Sequence, residues 1–234
     1  ATTDVMQLFT IQSLAGTFAP VADRPTQLRS ATRSLFFEPE SGTLLVSKEG
    51  LKYNDNYQIV STVIVPSADA LRISSSSSPP DAQYLELPQI QELSQIQQVV
   101  DQIIQGSTGN YEKLLAMQSY FRDNFVYSLD VPDSTSGDAT IDFLTRKSGY
   151  CEQFSSTFAL FARLIGIPSR VAIGFTPGEA SPIGTSNVQL FNVRGQHAHA
   201  WPEVWFDGIG WVLFEPTPGR GAPSADYTNV APAQ

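Results

Sequence analysis

Ser148-Gly149-Tyr150-Cys151-Glu152-Gln153-Phe154 holds the only cysteine of this 234-residue chain and sits where a loop turns into a helix. From Cys151 onward, Phe154, Phe158, Phe161, Ala162 and Ile165 fall on one side of a period of 3.6. Gly166 supplies a C-terminal stop, and Pro168 keeps the helix from resuming. Cys151 therefore belongs in a first helical turn, where unpaired N–H groups and the positive end of the helix dipole favour a thiolate. A thiolate suits covalent catalysis. A small, buried, inert cysteine fits the same position, and position alone leaves both readings open.

Outward from this stretch, composition limits the classes. The hydrophobic fraction of 41% and charged fraction of 16% describe a globular chain long enough for one large domain or two modest ones. A net charge of −9 argues against nucleic acid or an anionic membrane surface as partner. No apolar run has the length of a transmembrane helix. The start, Ala1-Thr2-Thr3-Asp4, reads as the edge of a piece cut from a longer protein and shows no signal-peptide pattern. A lone cysteine excludes an internal disulfide and leaves the compartment open.

Before the cysteine, residues 1–80 read as a β-rich region. After some thirty residues of little period come strand-like pieces at Ser34-Leu35-Phe36-Phe37, at Thr43-Leu44-Leu45-Val46 and from Tyr57 to Val65. Ser74 to Ser78 with Pro79-Pro80 reads as a linker. After Pro88, Ile90, Leu93, Ile96, Val100, Ile103 and Ile104 predict an amphipathic helix. A second follows, with Asn110 as N-cap and Leu114, Met117, Tyr120 (or Phe121) and Phe125 on one face. Asp130 to Asp138 is a polar loop, and Ile141 to Leu144 a short helical approach to the cysteine.

Beyond the helix the pattern turns to strands: Arg170–Phe175, Val188–Arg194, His199–Phe206 and Gly210–Phe214. Gly178 to Asn187 is a loop, and Asp207-Gly208-Ile209 a hairpin turn. Residues 220–234 read as a tail. Helices and strands in separate blocks make the fold class α+β.

Two histidines occur, His197 and His199. If the strand begins at His197 they share a face; His197 is the weaker candidate. Pairing the last two strands through Gly208 brings His199 and Glu215 close to cross-strand neighbours, within reach of a carboxylate–imidazole bond. That suits a cysteine nucleophile, whose base needs a group to orient it; a structural histidine and a solvated strand end are the plainer reading. Alternation places Trp201 and Trp205 on the face of His199, where core packing is preferred over lining a substrate cleft. Arg163 and Arg170 are read as serving ion pairs or solvent. Two histidines and a distant cysteine lack zinc-ligand spacing. Nucleotide, flavin and calcium motifs are missing, so no cofactor is expected.

Gly149-Tyr150-Cys151-Glu152-Gln153-Phe154, Gly166-Ile167-Pro168-Ser169-Arg170-Val171, His199-Ala200-Trp201-Pro202-Glu203-Val204 and Gly210-Trp211-Val212-Leu213-Phe214-Glu215-Pro216-Thr217 together resemble the transglutaminase-like core. More narrowly they resemble the bacterial membrane-anchored group that carries this core outside the cytoplasm. The likeness runs from about Leu87 to Gly219, so the core is placed at residues 81–219.

The resemblance implies a papain-like arrangement, a nucleophile helix packed on an antiparallel sheet. Cys151 would be the nucleophile, His199 the general base and then acid, and Glu215 the orienting carboxylate, where the family most often has Asp. The enzyme would form a thioester from a glutamine side chain or a peptide bond and resolve it with an amine or water. Its substrate would be a protein or a cell-wall peptide in the cell envelope, and flanking membrane segments are implied. The Cys151 N–H is a natural oxyanion donor, Tyr127 a candidate second one and Trp201 a candidate substrate contact. A catalytically inert binding module of the same fold is the alternative.

Overall fold

Every second side chain at the centre of the Asn56–Ile64 stretch (Tyr57, Ile59 and Ser61) is buried, the period-2 signature of a strand with one face on a core. This computed structural model describes residues 2–30, 32, 34–76, 78–132, 139–185 and 188–220. The first of two units, Ala1–Val65, has six strands: β1 Thr2–Thr10, β2 Phe18–Ala19, β3 Pro25–Ser30, β4 Leu35–Glu38, β5 Thr43–Val46 and β6 Asn56–Ile64. They form two antiparallel three-stranded sheets, ordered β1-β6-β3 and β2-β5-β4. Leu44, Val46, Leu51, Tyr57 and Ile59 lie in its core. The expected strands correspond to β4, β5 and β6. β1 and β3 occupy the stretch read as patternless: ladder bonds to β6 hold them, only Phe9 of β1 and Leu28 of β3 pack against the core, and Met6 and Leu8 are exposed.

The second unit, Pro66–Gln234, runs α1 Ala68–Ile73, α2 Leu93–Ile103, α3 Asn110–Asn124, β7 Val126–Tyr127, α4 Ala139–Arg146, β8 Ser148–Gly149 and α5 Cys151–Leu164. It continues with β9 Ser169–Phe175, β10 Glu179–Ala180, β11 Phe191–Asn192, β12 Ala198–Phe206 and β13 Gly210–Leu213. The predicted helices at 90–104 and 110–125 and the approach at 141–144 are α2, α3 and α4. Gly109, not Asn110, is the N-cap of α3.

The division falls before the Ser/Pro run, not at its end near residue 80. Leu71 of α1 is buried in the second unit's core. Ser74 donates its hydroxyl to the Asp207 carbonyl at 2.8 Å, and the Asp207 N–H donates to the Ser75 carbonyl at 2.8 Å. Ser75 also donates to the Asp207 carboxylate, and the Ser78 N–H reaches the same group at 3.2 Å. Polar composition suggested a free linker, but these residues are tied to the β12–β13 turn.

The main sheet has the order β13-β12-β9, antiparallel throughout. α5 packs on it, with Phe154, Phe158 and Phe161 completely buried alongside Val204, Phe206, Val212 and Phe214. Phe121, Phe125, Phe143 and Phe154 form an aromatic cluster with ring centroids 4.9–6.2 Å apart. The fold is thus α+β, a helix on an antiparallel sheet with a β-rich N-terminal region. Only Phe191–Asn192 of the expected Val188–Arg194 strand is regular, pairing with Glu179–Ala180 outside the main sheet. The polar loop lies partly, and the tail from 221 wholly, outside the described residues.

Candidate active site

Gly149 governs how α5 begins. A Cβ there would meet Gln153 Oε1 and come within 3.0 Å of the Phe143 ring. Without it, the Gln153 side chain folds back and accepts the Tyr150 N–H at 3.1 Å. This is the glutamine half of a capping box. Cys151 is the first helical residue and half-buried. Its N–H and that of Glu152, as in any helix start, have no acceptor within the helix.

The β12–β13 hairpin has the predicted register. Glu203 lies opposite Leu213, Trp205 opposite Trp211 and Phe206 opposite Gly210. The pairing runs one step further, the Phe214 N–H donating to the Pro202 carbonyl at 3.0 Å. Gly208, with φ of 75°, takes the left-handed conformation in the turn. His199 and Glu215 consequently meet, His199 Nε2 lying 2.7 Å from Glu215 Oε2 with both residues 3% exposed.

Three further groups fix Glu215. Its Oε1 accepts the Thr217 N–H at 2.9 Å. The Glu215 N–H donates to Gln118 Oε1 at 2.8 Å, and the Glu215 carbonyl accepts from Arg122 at 3.2 Å. Gln118 and Arg122, one turn apart on α3, thus grip the backbone of residue 215 from both sides. Sequence reasoning missed them. The signal was a glutamine at a position buried among Leu114, Met117 and Phe121, because a buried amide needs a partner.

With Nε2 engaged, His199 Nδ1 is buried and has no hydrogen-bond partner among the described residues. The structure therefore bonds His199 to Glu215 and leaves the nitrogen that would receive a thiol proton unused. Unliganded sites often hold such contacts long until substrate arrives.

On the cysteine side, β7 pairs in parallel with β8, setting Tyr127 beside Gly149, and the Ser128 N–H donates to the Gly149 carbonyl at 2.7 Å. The Tyr127 phenol has its pKa raised, chiefly by burial. Arg220 acts against that shift and Cys151 adds to it, so the two side chains are in electrostatic reach. Tyr127 thus stands beside Gly149 on the cysteine side, while His199 and Glu215 are bonded to each other.

His197 does not join them. It closes a 3-10 turn, Gly195–His197, before the strand begins, and its Nδ1 accepts the Arg194 N–H at 2.9 Å. Trp201 and Trp205 share the face of His199 as expected, but that face is not the core. Ala200, Pro202, Val204 and Phe206 are the buried alternates of β12, whereas Trp201 and Trp205 are half-buried. The Trp201 ring lies 6.1 Å from the His199 ring at 27°, and its Nε1–H donates to Glu203 at 3.3 Å. Arg170 pairs with Glu203 at 2.7 Å, as an ion-pair role required. Arg163 instead donates to the carbonyls of Ser169 and Glu86. Among the described residues no three His, Cys, Asp or Glu side chains group as a metal site would need.

Residues 97–216 match the family model of the transglutaminase-like superfamily. The chain belongs to that superfamily. It is 31% identical over 150 residues to the uncharacterized protein YebA of Bacillus subtilis (strain 168), covering 62% of this chain and 20% of that protein. It is 37% identical over 102 residues to a protein-glutamine gamma-glutamyltransferase of Pseudomonas aeruginosa, covering 43% of this chain and 14% of the relative. The chain thus spans a fifth or less of these two proteins. The periplasmic domain of TgpA from Pseudomonas aeruginosa matches in fold with a TM-score of 0.68, at 24% identity, over 92% of this chain and 69% of that one. The family match, residues 97–216, lies inside the span of 81–219 placed from the motifs.

Proposed function

We propose that this domain is a cysteine acyl-transfer enzyme acting on glutamine side chains or peptide bonds of proteins or cell-wall peptides outside the cytoplasm. The observation that carries the reading is the buried His199–Glu215 bond, which orients the imidazole and leaves Nδ1 open as a base. The Cys151 thiol gives its proton to His199 Nδ1 as Sγ bonds to the amide carbonyl carbon. The oxyanion takes hydrogen bonds from the Cys151 N–H and the Tyr127 hydroxyl. The carbon–nitrogen bond then breaks, Nδ1 returns the proton to the leaving nitrogen, and a thioester remains. An amine attacking the thioester gives transfer and water gives hydrolysis, the thiol being regenerated in both. Trp201, beside His199, serves as a substrate contact. The named glutamyltransferase relative supports the transfer chemistry, and the periplasmic domain of matching fold supports an extracytoplasmic location.

The test follows ammonia released from glutamine peptides with and without a primary amine, alongside mass spectrometry of Cys151. A thioester on Cys151, lost in Cys151→Ala and no longer formed in His199→Ala, is expected. A Cys151 that neither acylates nor reacts with iodoacetamide at neutral pH would overturn the reading in favour of an inert binding module.

A further inference from the structure

Arg220 is an exposed arginine whose two contacts among the described residues are to an aromatic ring and a carbonyl. Its guanidinium carbon lies 4.6 Å from the centroid of the Tyr127 ring, and one N–H donates to the Gln196 carbonyl at 3.1 Å. Arg72, Arg170 and Arg194 each pair with a carboxylate. Among the described residues no carboxylate pairs with Arg220. A guanidinium has five N–H donors in a planar fork, so most remain for a ligand.

Its two contacts lie on the two sides of the candidate site. Tyr127 is aligned with Gly149, two residues before Cys151. Gln196 belongs to the 3-10 turn that ends two residues before His199. A single guanidinium therefore touches β7, which pairs with the strand leading to the sulfur, and the turn that leads to the imidazole. The Tyr127 phenol, which responds to both Arg220 and Cys151, places the charge within electrostatic reach of the same region.

We propose that Arg220 is a specificity residue that binds a substrate carboxylate flanking the reacting amide. Stacking on Tyr127 and the bond to Gln196 pre-order the long side chain, which reduces the entropy lost when a carboxylate docks. The chain as a whole carries a net charge of −9 and repels anions. A local cation is therefore what an anionic peptide needs to approach. The inference rests on the proposed chemistry at Cys151, and the experiment separates the two.

Wild type and Arg220→Gln are alkylated at Cys151 at low ionic strength with iodoacetate, which bears the carboxylate, and with iodoacetamide, which is neutral. The variant should react with iodoacetate about three- to fivefold more slowly and with iodoacetamide at the wild-type rate. Arg220→Lys should keep part of the preference, and salt should erode it in the wild type. Glutamine peptides with a flanking carboxylate should lose their kcat/KM advantage over the matching carboxamides in the same variant. An unchanged iodoacetate-to-iodoacetamide ratio, including one in which both rates fall together, overturns this inference and leaves the chemistry standing. A wild-type Cys151 inert to iodoacetamide overturns both.

Discussion

At Glu215 the side chain divides its two oxygens, one on the Thr217 N–H and one on the His199 ring. The Gln118 and Arg122 bonds set the backbone from which that side chain reaches. The longer carboxylate, where the family most often has Asp, is accommodated because the residue is fixed at backbone and tip alike. Glu215→Gln keeps the size but lets an amide NH2 donate to His199 Nε2, which moves the ring proton to Nδ1, the nitrogen that must receive the thiol's proton. Turnover should fall by about a thousandfold or more, as when an orienting carboxylate becomes an amide elsewhere. Stability should fall by about 1–3 kcal/mol, because a buried bond to a charged carboxylate is exchanged for one to a neutral amide. Steady-state kinetics and urea denaturation of the same variant check both parts.

Among the elements, the start of α5 depends on the missing side chain at residue 149. Gly149→Ala would drive a Cβ into the capping glutamine and the Phe143 ring. The cost should be about 1–3 kcal/mol of overpacking, read by denaturation, with slower alkylation of Cys151 as the first turn shifts. This helix was legible in the sequence because its apolar period, its glycine stop and its cysteine all point one way. The hairpin was legible too, since one turn glycine fixes the register that joins His199 to Glu215. Elements held by ladder bonds were not: β1 exposes most of its side chains and shows no alternation. Nor was the face occupied by the tryptophans, because alternation says which residues go together but not which side α5 covers. Gln118 and Arg122 escaped notice because their partner lies almost a hundred residues away, a contact that only tertiary structure reveals.

For the molecule as a whole, alkali should be a common weakness of both units. Tyr57 in the first has its pKa raised well above 10 by burial. In the second, Tyr111, Tyr120 and Tyr127 are raised as well, burial being the largest cause in each. Above the ordinary tyrosine range near 10, the unfolded chain gives up protons that the folded chain keeps. Stability is therefore fully present below about pH 10 and falls as the pH climbs beyond it. Urea denaturation at pH 8 and pH 11 should show the loss. Tyr57→Phe should flatten it for the first unit, while giving up about 1 kcal/mol at pH 8 with the bond to the Pro20 carbonyl.

The ties between Ser74, Ser75, Ser78 and Asp207 decide where this protein can be trimmed. A fragment beginning at Pro66 retains α1 and the serines that brace the hairpin tip. One beginning at residue 81, the cut that composition invites, discards Leu71 and removes the bonds that Ser74, Ser75 and Ser78 give Asp207. The shorter fragment should melt lower by at least the burial of one leucine, about 1.5–3 kcal/mol, in a thermal scan of the two side by side. What looks in the alphabet of residues like packing string between two parcels is, for the hairpin bearing His199, part of the parcel.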